Sequence, residues 1–196
     1  ENPVAEHTFA LILDLSIKIH KAYMKTSRGD FSLEGLRGFD LKGKTIGIIG
    51  CGNIGRHVAR IAVGFEMNVI VHDIHNDKDF ARRIGFNYAS MNSLLSSSDI
   101  ITLHVPYTQS NHHLINESSI KRMKNGVHLI NTSRGALIDT HALINNLESG
   151  KIAGAALDVL EDECEIKEEM QVLKNQFKAE CDLKTILENH VLMKMD

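Results

Sequence analysis

Three glycines carry the first chemistry legible in this chain: Gly50, Gly52 and Gly55, spaced G-x-G-x-x-G. The apolar run Thr45-Ile-Gly-Ile-Ile49 leads straight into them, and an amphipathic stretch, Asn53-Ile-Gly-Arg-His-Val-Ala59, follows at once. Asp73 then closes a second apolar run, about 20 residues beyond the motif. A strand that turns sharply into a helix leaves the first-turn N–H groups and the positive helix end facing outward, where a pyrophosphate can bind. Gly50 makes the turn, Gly52 lets the backbone approach the anion, and Gly55 lets helix and sheet pack closely. Asp73 is placed to accept hydrogen bonds from ribose hydroxyls, and its charge repels the additional phosphate of NADP. The pattern therefore reads as a site for NAD.

Polar clusters close three later apolar runs. They are His104-Val-Pro106, Asn131-Thr-Ser-Arg-Gly135 and Leu157-Asp-Val-Leu-Glu-Asp-Glu163. A planar guanidinium in a loop over a nucleotide can hold a carboxylate bidentately, so Arg134 is a candidate anchor; spacing alone equally allows a solvated surface arginine. Asp158 either bonds a nicotinamide carboxamide or caps its own loop. Glu163 lies in an acidic run from Glu161 to Glu169, a pattern that usually marks a solvated face.

These clusters must be carried by alternating strands and helices. Apolar runs predict strands at 45–49, 68–72, 100–104, 127–131 and 153–158, with a short one near 87–89. Helical spacing predicts helices at 54–63, 78–83, 91–96, 117–123 and 141–148, after one long amphipathic helix over 4–24. The connector 26–44 offers Phe31, Leu33, Leu36 and Phe39 as docking points, and Gly64, Gly126 and Gly150 stand where helix ends need a left-handed residue. Uninterrupted apolar strands joined by crossover helices impose a parallel sheet covered on both faces. The expected fold is α/β, a doubly wound parallel sheet of Rossmann type, with the ligand across the carboxyl ends of its strands.

Composition narrows the function classes. The 196 residues are 43% hydrophobic and carry a formal net charge of −3, which fits an ordinary globule and not a nucleic-acid binder. Trp is absent and aromatic residues are few, so stacking platforms for single strands are not expected. Asp14 and Lys18 interrupt the richest apolar stretch, so no membrane span is expected. Cys51, Cys164 and Cys181 are too scattered for a disulfide framework and fit reduced thiols in the cytoplasm. No metal site is expected, because neither the adjacent pair His112-His113 nor the cysteines have ligand spacing.

Five blocks resemble the cofactor domain of the D-isomer-specific 2-hydroxyacid dehydrogenases, in that family's order and spacing. They are Val4-Ala-Glu-His-Thr8, the stretch from Asp40 through Gly50, Leu103-His-Val-Pro106, Ile130-Asn-Thr-Ser-Arg-Gly135 and Ala156-Leu-Asp-Val159. The resemblance implies that Asn53 and Ile54 lie over the pyrophosphate and that Val105, Pro106 and Asn111 line the cofactor groove. It places Thr132, Asp158 and the Ser133 backbone near the nicotinamide. It makes Arg134 the partner of the substrate carboxylate and carbonyl, and Glu163 the carboxylate that orients a catalytic histidine. The implied partners are a small 2-oxo or 2-hydroxy acid and a second copy of the chain, in a homodimer through the cofactor domains.

By the same resemblance, 1–44 is a helix and connector attached to the NAD-binding domain at 45–163, and 164–196 matches the family weakly. The family's substrate half, built from a segment ahead of the first helix, is not among these residues, so turnover by them alone is expected to be slow or nil. The family histidine follows a strand ending in Thr-Pro-His; the corresponding stretch here, Asn189 to Asp196, ends in Met195 and Asp196. Glu66 stands where the family usually has Gly. A non-catalytic NAD-binding regulator is the alternative reading, and a methyltransferase a more distant one, disfavoured by the third glycine and by the Asn131–Gly135 loop.

Overall fold

The computed structural model describes residues 1–161 together with Glu188, Val191 and Leu192. Six strands, β1 (Thr45–Ile49), β2 (Asn68–His72), β3 (Asn87–Tyr88), β4 (Ile100–Leu103), β5 (Val127–Asn131) and β6 (Ile152–Leu157), form one sheet in the order β3-β2-β1-β4-β5-β6. Every pairing is parallel. Between them run α3 (Asn53–Gly64), α4 (Lys78–Ile84), α5 (Met91–Ser97), α6 (Glu117–Lys121) and α7 (Thr140–Glu148). The expected doubly wound Rossmann-type fold is therefore present, with its strand elements within two residues of the sequence-based bounds.

Although the central strands are largely apolar, their side chains still alternate between two cores. Ile46, Ile48, Ile100 and Ile130 pack under α1 and α3; Ile49, Ile101, Leu103 and Leu129 pack under α5, α6 and α7. Parallel pairing brings all the strand ends that carry polar clusters to one edge. The order reverses between β1 and β4, which opens a crevice at that edge.

The long helix predicted over 4–24 is two helices, α1 (Asn2–Ile17) and α2 (Ile19–Ser27), broken at Lys18, whose φ of 57° is left-handed. Competing partners explain the break. The Ser16 carbonyl accepts the Phe39 N–H at 3.0 Å instead of a helical one, and Asp14 caps the new helix by accepting the His20 N–H at 3.0 Å. Phe31 and Leu33 do not dock: they are 78% and 83% exposed. Lys25 holds their loop by polar bonds to Ser32 and to the Glu34 carbonyl, and only Phe39 packs closely, its ring 4.6 Å from that of His128. Glu188, Val191 and Leu192 are helical, where the family comparison leads one to expect the end of a strand; Leu192 packs on the second core.

Gly126 and Gly150 have the expected left-handed backbone, but Gly64 does not. Helix α3 runs through Gly64 and reverses at Glu66 (φ 57°), with the Met67 N–H on the Ala62 carbonyl and the Glu66 N–H on that of Val63. This is a Schellman ending with glutamate in the glycine position. A left-handed L-residue costs about 1–2 kcal/mol, partly offset by the freer unfolded chain that Gly would have. The pair between Glu66 and Lys42 is exposed and contributes little. Glu66→Gly should raise stability by about 0.5–1 kcal/mol and Tm by roughly 2 °C, read by thermal melting; a lower Tm would contradict this account of the turn.

Candidate active site

The crevice is built from the loops that follow β1, β2, β4, β5 and β6. At its centre Gly50 (φ 98°) turns the chain, and a Cβ there would come within 2.5 Å of the His104 carbonyl and 2.8 Å of Val105. A Cβ on Gly55 would lie 2.0 Å from the Gly50 carbonyl, whereas one on Gly52 would meet nothing within 4 Å. Gly52 is thus the open position over the loop and the N-cap of α3, which no side chain caps. The first-turn N–H groups of Asn53, Ile54 and Gly55 are left to an outside acceptor. At the end of β2 the half-buried Asp73 carboxylate accepts the Cys51 and His75 N–H groups, which fixes it beside the glycine loop. Open backbone over Gly52, an uncapped 12-residue helix and an adjacent anchored carboxylate fit a pyrophosphate-linked nucleotide with free ribose hydroxyls. Burial pushes the Cys51 thiol pKa up, so that side chain is unreactive packing beneath the loop.

Beyond β4, Val105 faces Gly50 across the crevice and Pro106 is exposed. Asn111 spends its amide on its own loop, accepting the Thr108 N–H and donating to the Pro106 carbonyl, both at 2.8 Å. His104 donates to or accepts from Thr102 Oγ1 at 2.9 Å, and burial pushes its pKa down to about 4. Its ring is neutral at pH 7, which removes it as an imidazolium proton donor.

The loop after β5 is organised by a residue that sequence reasoning left without a role of its own. Asn131 is wholly buried; its amide donates to the Arg134 carbonyl at 2.8 Å and accepts the Ser133 N–H at 3.0 Å. The Ser133 hydroxyl donates to the Leu103 carbonyl at 2.7 Å, locking this loop to β4. Thr132 and Arg134 are left facing the crevice rim. Arg134 is exposed, donates only to the Ser133 carbonyl (2.7 Å), and has no ion pair among the described residues. Asp158, whose N–H bonds the Asn131 carbonyl, lies alongside.

Helix α1 reaches the same place. His7 Nε2 lies 3.1 Å from Asp158 Oδ1, and the Thr8 and Thr132 hydroxyls are 3.1 Å apart. Sequence reasoning gave neither His7 nor Thr8 a role; the only signal was their place in the block Val4–Thr8. Gly50, Gly52, Asn53, Ile54, Gly55, Asp73, Val105, Thr132, Ser133, Arg134 and Asp158 are all brought to this one edge. Glu163, Cys164, Cys181, His190, Met195 and Asp196 lie outside the described residues.

Residues 9–191 match the family model of the D-isomer specific 2-hydroxyacid dehydrogenase, NAD binding domain. The chain is 46% identical over 160 residues to D-lactate dehydrogenase of Escherichia coli, covering 82% of this chain and 48% of that protein. It is 42% identical over 178 residues to glyoxylate reductase of Thermococcus litoralis, covering 87% and 54%. The solved D-lactate dehydrogenase of Aquifex aeolicus complexed with NAD and lactic acid superposes with a TM-score of 0.86 at 37% identity, over 98% of this chain and 56% of that one. The chain thus spans about half the length of the relatives it matches. With its glycine loop, anchored Asp73 and Asn131-organised loop on one sheet edge, this chain belongs to the D-isomer specific 2-hydroxyacid dehydrogenases, as their NAD-binding domain.

Proposed function

We propose that this chain is the cofactor half of an enzyme that interconverts a 2-oxo acid of pyruvate type and the corresponding D-2-hydroxy acid, with residues 45–163 as the NAD-binding domain and 1–44 attached to it. The observation that carries the reading is Arg134: an exposed guanidinium free of acid partners among the described residues, on a loop braced by a buried asparagine, beside Asp158. NAD supplies or takes the hydride when bound. Arg134 holds the substrate carboxylate and polarises the carbonyl, which positions it and stabilises charge that develops on oxygen. Asp158 and Thr132 orient the nicotinamide side. Glu163 orients a histidine that gives the oxygen its proton, and a neighbouring carboxylate favours the charged imidazolium.

The same reading makes the working protein a cytoplasmic homodimer. Ile17, Ile19, Tyr23 and Met24 expose between 45% and 71% of their surface on α1 and α2, an apolar face that a second copy would cover. No helix among the described residues is long and apolar enough to cross a membrane.

Calorimetry with the purified chain tests the cofactor reading. NADH should bind, and NADPH at least about tenfold more weakly, because Asp73 meets the added phosphate. Asp73→Ala should weaken NADH by about 1.5–3 kcal/mol, the worth of hydrogen bonds to a charged group, and narrow the gap to NADPH. Equal affinity for both cofactors in the unsubstituted chain would sink the assignment of Asp73. Binding without turnover once the substrate half is supplied would favour the regulatory alternative.

A further inference from the structure

His112 and His113 lie in the loop between β4 and α6, and Glu161 in the turn after β6. The sequence offers no ligand spacing because the carboxylate comes from 48 positions beyond His113. The fold nevertheless brings one donor atom from each of the three residues to within 4.8 Å of the others. We propose that His112, His113 and Glu161 form a binding site for a divalent ion of the Zn2+ class.

Two imidazoles and a carboxylate are the donor set of zinc sites that keep a fourth position for water. His112 is exposed, so that position opens to solvent. The other two ligands are held from behind. Glu161 is 11% exposed, and its second oxygen accepts from the Thr140 hydroxyl at 2.7 Å, which leaves Oε1 turned to His113 Nε2. His113 has a left-handed backbone (φ 51°), rare for an L-residue, and is fixed by its N–H on the Ala136 carbonyl at 2.9 Å and its own carbonyl on Asn116 at 2.9 Å. The two histidine rings stack at 3.8 Å with 24° between planes, so the exposed His112 ring must turn out of the stack for both in-plane lone pairs to meet at one ion.

Ligand atoms about 2.0–2.2 Å from a tetrahedral ion lie roughly 3.4 Å from one another. The hydrogen bond between His113 and Glu161 must therefore open by about 1 Å, and the widest separation close by a little more than that. Side-chain rotation of His112 and a small shift of His113 supply both. Anchoring of the carboxylate by Thr140 is the outer-shell support that ligating carboxylates need. An ion seated here ties the loop that carries Pro106 and Asn111 to the turn that leads toward Glu163. The site does not depend on the proposed reaction.

Chelator-treated 196-residue chain titrated with Zn2+ alone tests this, by calorimetry and by the visible absorption of a four-coordinate Co2+ complex. One equivalent should bind, with His112→Ala and Glu161→Gln each weakening binding at least about tenfold, and Mg2+ should not compete. His20→Ala, a histidine on α2, controls for casual imidazole binding and should leave the titration unchanged. Circular dichroism and NADH binding report whether each variant folds; His112 is exposed, so His112→Ala decides alone if Glu161→Gln misfolds. No stoichiometric binding, or the same affinity in folded His112→Ala as in the parent, overturns the site.

Discussion

With the chain joined to a substrate half, Arg134→Ala is expected to lower kcat/KM for 2-oxo acid reduction at least about 1,000-fold while leaving NADH affinity within about twofold. Two charge-assisted hydrogen bonds from a planar guanidinium to a carboxylate are worth about 4 kcal/mol together, and each 1.36 kcal/mol is tenfold in rate. The fold should not notice the change, because the Arg134 side chain is exposed and its only described bond is to the adjacent Ser133 carbonyl. The loop itself is held by Asn131, through the Arg134 backbone. Arg134→Lys keeps the charge but loses the fork, so it should recover only part of the loss, to roughly 100-fold below the parent. Stopped-flow NADH oxidation and calorimetry on the same samples separate the two effects. Activity within tenfold of the parent in Arg134→Ala would remove Arg134 from the reaction.

A second pair of substitutions separates what two neighbouring glycines do. Gly55→Ala places a methyl 2.0 Å from the Gly50 carbonyl oxygen, a backbone atom that cannot rotate aside. Helix α3 or the glycine turn must move by more than 1 Å from ordinary contact, at a cost of about 3 kcal/mol. A Tm lower by roughly 6–12 °C should follow, together with loss of measurable NADH binding. Gly52→Ala meets nothing within 4 Å, and its φ of −69° suits any residue. Its Tm should stay within about 2 °C, yet NADH should bind at least about tenfold more weakly, because the methyl occupies the approach of the pyrophosphate. Equal Tm losses in the two variants would mean that Gly52 is structural as well.

Much of this was legible from local rules. Apolar runs bounded by glycine and polar clusters found each strand among the described residues, most readily the central ones, whose burial on both faces leaves little choice of residue. Glycine spacing and Asp73 pointed to the end of the crevice where an open Gly52 backbone, an uncapped helix and an anchored carboxylate come together. What escaped was decided between distant segments. Lys18 breaks a helix that periodicity alone continues, since the Ser16 carbonyl finds Phe39 N–H 23 residues away. Phe31 and Leu33 looked like anchors by type, yet Lys25 holds their loop by polar bonds. Asn131 read as the polar end of a strand, and only its burial reveals that it builds the loop on which Arg134 stands. Glu66 was singled out only through the family comparison, and it proves to be the left-handed residue that Gly64 was expected to be.

The pairing of α1 with the far end of the sheet bears on how the chain folds. His7 meets Asp158 across 151 intervening steps of sequence, and Thr8 meets Thr132 across 124. Loop closure over such lengths precedes any gain from the contact, so these bonds are among the last to form. On the ribosome, the first helix can pack on α3 early, through Phe9 and Phe65, but its contacts with Thr132 and Asp158 wait until the strand that ends at Leu157 has emerged and paired. The glycine loop between β1 and α3 needs only its neighbours and can take shape much earlier. The glycine-loop end of the crevice is therefore ready during synthesis, and the end where α1 meets the loops after β5 and β6 is completed only after nearly all of the described chain is out.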